Sequence, residues 1–153
     1  MQLSEIFLAL GEEPTSELVR RVSIGKLRTY QLYERLKVRL RVPKLNSEWL
    51  RKAAPRVWAR IVERDDEFAA DLSQAILVSH LELIVAILDF LGVPHEGGFF
   101  AKDIDAGKYL TDGWQERAWE KFRGAWPRPA LLFYINHLAF ELAKESPLFM
   151  PAQ

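Results

Sequence analysis

The sequence has no cysteine, two methionines and three histidines among 153 residues, and no long uninterrupted apolar run. Without cysteine there is no disulfide, no thiolate nucleophile and no cysteine-based zinc site. The lack also suits a reducing compartment, so a cytoplasmic location is expected. The opening residues, Met1 to Phe7, have no basic stretch and too little apolar length to read as a signal peptide. The most apolar segment, Ala75 to Leu91, is interrupted by His80, Glu82 and Asp89. It falls short of the roughly 20 residues a membrane span needs, so it reads as a buried core helix and no membrane partner is expected.

Hydrophobic residues make up 49% of the chain and charged residues 27%, a balance that can build a core. The formal net charge is zero but unevenly spread. Glu17 to Arg64 holds fourteen Lys/Arg against four Asp/Glu; residues 65–153 hold seven against fourteen. Such asymmetry points to a charged partner, or to one half of the chain neutralising the other.

No segment alternates as a half-buried strand does, and helical signals recur throughout. Ser4 to Leu10 reads as a short helix stopped by Gly11. Thr15 reads as the N-cap of the next, with Glu17 in its first turn. Leu18, Val22, Leu32, Leu36 and Leu40 line one side of the stretch from Ser16 to Val42, interrupted at Ser23-Ile24-Gly25. Ser47 opens a helix that Pro55 is expected to kink or restart. Asp65 or Asp66 caps a central helix running to Leu91, where Gly92 and Pro94 end it. Asp112 and Gln115 resemble a capping box, and Pro129 suits the first turn of a last helix. The expected fold is all-α: a single-domain antiparallel bundle of about five or six helices over residues 1–153.

Tests for chemistry-bearing motifs are mostly negative. Gly25-Lys26 lacks the earlier glycine and the following Ser/Thr of a phosphate-binding loop. None of the three histidines has a glutamate three residues before it, as di-iron bundles need. A calcium loop starting at Asp103 and Asp105 would place Lys108 at the tight-turn glycine and Trp114 at the bidentate glutamate, so plain local turns are expected. No cofactor is expected.

Two constellations remain. Arg21, Arg28, Arg35 and Arg39 project to one side of a continuous helix, and Arg56 and Arg60 are spaced one turn apart. They read as a solvated face, or as a surface for phosphates or carboxylates. A turn at Ser23-Ile24-Gly25 would make a helix-turn-helix-like pair. The second constellation is polar residues on apolar helices. His137 and Glu141 share a face one turn apart, and His80 and His95 are the further ligands if these segments converge on a metal or an acid–base pair. The plainer reading gives each histidine one hydrogen bond in a packed contact and turns Glu82 and Glu141 to water. Most of the five tryptophans are expected in the core, with Trp119 the one expected at the surface. The Gly97-Gly98-Phe99-Phe100 stretch reads as a flexible turn with its aromatics anchored to the core.

The leading functional expectation is a non-enzymatic helical interaction module. It would self-associate as a homo-oligomer or bind an acidic protein through the arginines. Nucleic-acid binding through residues 17–64 is the alternative, and a metal-dependent or acid–base enzyme near His80, His137, Glu141 and His95 the third.

Overall fold

A computed structural model of the chain describes residues 2–22, 47–142 and 147–152, with the backbone alone for residues 47–52. It is all-α, with seven α-helices and one small hairpin among the described residues. The chain divides into two compact units, Gln2–Ser79 and His80–Gln153. No single described helix is long and apolar enough to cross a membrane.

In the N-terminal unit, helix α1 (Leu3–Leu10) buries Leu3, Ile6 and Phe7, apolar positions at helical spacing. The Glu5 carboxylate accepts the backbone N–H of Gln2 at 3.1 Å and steadies the first turn. Gly11 then both ends α1 and starts α2 (Glu12–Arg20). Its φ of +101° is disfavoured for any side chain, and it lets the second helix begin immediately. That helix starts three residues before the expected cap. Pro14 fits its first turn, where N–H groups have no helical partner, and Glu12 and Glu13 complement the helix dipole. Thr15 is therefore not a cap but a buried residue whose hydroxyl donates to the Phe7 carbonyl at 3.4 Å.

Helix α3 (Ser47–Val62) begins where Ser47 predicts and runs through Pro55 unbroken. Pro55 faces solvent, while Ala53, Val57 and Ile61 form the buried side. Asp65 caps helix α4 (Asp66–Val78) by accepting the Phe68 N–H at 3.1 Å, as expected. Asp66 binds back to α1: its Oδ1 accepts the Ser4 hydroxyl at 2.8 Å and the Ser4 N–H at 3.3 Å. Within this unit α1 packs on α2, α3 and α4, and α3 packs on both α2 and α4. The interruption at residues 23–25 and the Ser16–Val42 stripe beyond Val22 lie outside the described residues.

The expected central helix to Leu91 is in fact two. Ser79 turns its hydroxyl onto the Ala75 carbonyl at 2.8 Å, taking the place of its own N–H, which bonds to the Ile76 carbonyl instead. His80 then leaves helical geometry (φ −130°, ψ 37°), and α5 (Leu81–Leu91) starts afresh. Gly92 ends it in the left-handed conformation. Nor is this helix buried all round: Leu81, Glu82, Asp89 and Phe90 are exposed. The most buried helix of the C-terminal unit is the last.

Residues 95–100, read as loop, contain two short antiparallel strands, β1 (His95–Glu96) and β2 (Phe99–Phe100), paired His95 to Phe100 and Glu96 to Phe99. A 3₁₀ turn (Ala106–Tyr109) follows, and the Asp105 carbonyl accepts the Lys108 N–H as a local turn. Helix α6 (Trp114–Phe122) is preceded by Gly113, with no side-chain cap from Asp112. Arg117 fastens this entry instead, donating to the Asp112 carbonyl and the Thr111 hydroxyl, both at 2.7 Å. Helix α7 (Arg128–Leu142), with Pro129 in its first turn, buries every residue from Ala130 to Ala139. Helix α6 packs on both α5 and α7.

Candidate interaction surface

The six arginines singled out above fare differently. Arg28, Arg35 and Arg39 lie outside the described residues. Arg21 and Arg56 are exposed, while Arg60 is half-buried with Nη1 3.3 Å from Asp65 Oδ2. Two further arginines of the basic region also meet acids of their own unit: Arg20 lies 3.3 Å from Glu13, and Arg64 lies 3.8 Å from Glu5. Part of the positive charge is thus balanced within the N-terminal unit.

The histidines do not converge on one ion. Among the described residues no three His, Asp or Glu are grouped to hold a metal. His80 marks the break before α5. His137 and Glu141 do share a face of α7, with Nδ1 3.5 Å from Oε1, too long for a hydrogen bond. The imidazole packs against Phe133 and Phe140 at centroid distances of 5.6 and 6.2 Å. Burial pushes the His137 pKa down to about 4, so the ring is neutral at pH 7 and the contact is not an ion pair. Burial also raises the Glu141 pKa. It raises that of Tyr134 two turns earlier, where the Glu141 charge adds to the effect. The stripe Tyr134, His137, Glu141 is a set of reluctantly charged groups beside an aromatic core.

His95 is the better-engaged histidine. Its Nε2 lies 2.6 Å from Asp89 Oδ1, and its Nδ1 accepts the Gly98 N–H at 3.1 Å. An accepting Nδ1 must carry the lone pair, so the proton sits on Nε2 and points at Asp89. With both nitrogens used, the ring has none left for a metal or a substrate. It braces the hairpin from inside its own turn. Gly97 and Gly98 make that turn with φ of +61° and +97°, both in the region that favours glycine. The Ala101 N–H closes the base of the hairpin on the Pro94 carbonyl at 3.0 Å. A Cβ on Gly98 would meet Ile84 Cγ2 at 3.3 Å, with Leu81 and Val85 methyls just beyond, so the turn lies directly on α5.

The braced turn delivers one aromatic residue to solvent. Phe99 is 61% exposed, contrary to the expectation that both phenylalanines anchor to the core; only Phe100 is half-buried. Leu81 (36%) and Phe90 (41%) are exposed on α5. Phe90 is held edge-on by Phe122 at 5.6 Å. Trp119 is corrected in the opposite sense. It is 7% exposed, with the Arg128 guanidinium 5.3 Å above its ring. Trp114, expected in the core, is only half-buried. No family model matches the chain. Neither a curated protein nor a solved structure matches it.

The Asp89–His95 pair is not marked out by the sequence, although Gly97-Gly98 is a hairpin-turn signal beside it. Asn136 is a further functional polar residue of α7 that local spacing does not mark out. It is fully buried, and its amide grips the C-terminal segment. Nδ2 donates to the Phe149 carbonyl at 3.0 Å and to the Leu132 carbonyl at 2.9 Å, and Oδ1 accepts the Phe149 N–H at 2.8 Å.

Proposed function

We propose that the chain is a non-enzymatic protein-interaction module whose binding face is formed by α5 and the hairpin at residues 95–100. The observation that carries this reading is the exposed Phe99 on a turn locked by His95. Single exposed apolar residues are ordinary. An aromatic ring on a turn that a hydrogen-bonded histidine braces is different, because its backbone is ordered before any partner arrives. Aromatic anchors of this kind dominate binding energy at protein interfaces. Leu81, whose methyl faces Gly98, adds apolar area beside the turn, and Glu82 and Glu96 are exposed on the same elements.

The test is affinity capture with the purified full chain, comparing wild type with Phe99→Ser. A protein retained by wild type, this chain itself included, and lost at least about tenfold by Phe99→Ser supports the face as the binding surface. Equal retention by both proteins sinks it.

A further inference from the structure

Asn136 is the one amide side chain on a stretch of α7 that is buried at every residue from Ala130 to Ala139. Burying an amide is unfavourable unless its polar groups are used. One of its N–H groups donates within the helix, to the Leu132 carbonyl at 2.9 Å, and this fixes the way the amide points. The other N–H and the oxygen engage the carbonyl and the N–H of a single residue, Phe149, at 3.0 and 2.8 Å. Eight residues earlier on the helix, Arg128 donates to the Pro151 carbonyl at 3.1 Å, with its guanidinium over the Trp119 ring. All of these bonds to the C-terminal segment go to its main chain. Its side chains contribute less: Pro147 and Met150 are exposed, and Leu148, Phe149 and Pro151 are only half-buried.

An amide held in this way recognises backbone. Its outward pair matches the N–H and C=O of one extended residue, and any residue fits there except proline, which has no N–H. Main-chain bonds of this kind are how extended peptides dock on proteins. We propose that the side of α7 carrying Asn136 and Arg128 is a peptide-binding site that the chain's own residues 147–151 occupy. Its ligand is an extended apolar peptide with a free main-chain N–H and carbonyl at its centre, as in Pro-Leu-Phe-Met-Pro of residues 147–151. The tail is a built-in competitor, because its tether gives it an effective concentration on the order of millimolar. Its departure leaves two polar groups of Asn136 unpaired, which favours a replacement peptide over an empty site. This site does not depend on the Phe99 face, and either stands without the other.

The probe is a fluorescein-labelled peptide of residues 145–153, followed by anisotropy against the full chain. Wild type is expected to bind it weakly, because the tail holds the site. Phe149→Pro in the full chain removes the N–H that the tail offers to Asn136, and peptide binding is expected to tighten at least about tenfold. Adding Asn136→Leu to Phe149→Pro is expected to abolish that gain. A peptide with proline in place of Phe149 is expected to bind none of these proteins. Circular dichroism reads whether the variants keep their helices. Amide exchange on the wild-type chain needs no substitution: unlabelled peptide at concentrations on the order of millimolar is expected to speed exchange of the chain's own Phe149 amide, while α7 keeps its protection. A helical Phe149→Pro chain that binds no more tightly than wild type overturns the proposal, as does binding that survives Asn136→Leu. If Phe149→Pro fails to fold, the exchange measurement decides, and an unchanged rate at Phe149 overturns the proposal.

Discussion

Asp89 Oδ1 and His95 Nε2 lie 2.6 Å apart, joining the last turn of α5 to the first strand of the hairpin that follows it. The same imidazole accepts the Gly98 N–H, so one ring fixes both the departure of the chain from α5 and its reversal.

Replacing this ring should loosen Phe99 without touching it. His95→Ala removes two hydrogen bonds, one of them to a carboxylate, at a cost of about 1–3 kcal/mol. Amide hydrogen exchange should show Gly98 exchanging faster while the α7 amides keep their protection. Binding through Phe99 should weaken as well. Unchanged exchange at Gly98 would mean the brace contributes nothing.

The two turn glycines should respond differently to alanine. At Gly97 a Cβ meets nothing within 4 Å, so only the left-handed backbone resists, at about 1 kcal/mol. At Gly98 the backbone cost is joined by a 3.3 Å approach to the Ile84 methyl, which must give way by a few tenths of an ångström. Thermal denaturation should therefore rank Gly98→Ala below Gly97→Ala, with Gly97→Asn close to wild type.

Asn136→Ala should free the C-terminal segment. The Phe149 N–H and carbonyl lose their side-chain partners in a part-buried site, a loss of about 2–3 kcal/mol. Limited proteolysis should cut near residue 147 faster than in wild type. Asn136→Leu should do the same despite similar volume, because the missing feature is hydrogen bonding and not packing.

Acidification should weaken the C-terminal unit through His137. The unfolded ring takes a proton near 6.5 and the folded one only near 4, so between these values the unfolded state binds more protons. The stability is complete above about pH 6.5 and falls by about 3 kcal/mol on the way to pH 4. Glu141 opposes this, because its raised pKa makes the folded state bind a proton more readily as pH falls. More than a third of its side chain is in water, so its effect is the smaller. Chemical denaturation at pH 7 and pH 4.5 should show a loss that shrinks in His137→Leu and grows in Glu141→Gln. An equal loss in all three proteins would remove His137 from the account.

The helices were legible in the sequence because their determinants are local. Asp65 caps α4, Gly92 ends α5 and Pro129 enters α7 through effects within a turn or two. The shared face of His137 and Glu141 likewise follows from 3.6 residues per turn. The rest depended on tertiary packing. Whether Trp119 or Trp114 turns inward depends on what lies against α6, and periodicity is silent about that. The break at Ser79–His80 trades one helical bond for a side-chain bond, a near-equal exchange that propensity cannot decide. The hairpin adds only two residues per strand, too few for a periodic signal, and its brace comes from a histidine and an aspartate six residues apart. Asn136 binds thirteen residues down the chain. Composition and spacing settled where helices start and stop, because those energies are paid within a few bonds. Which residues stay in water was settled only when distant segments met, because burial is a property of neighbours that the local sequence does not contain.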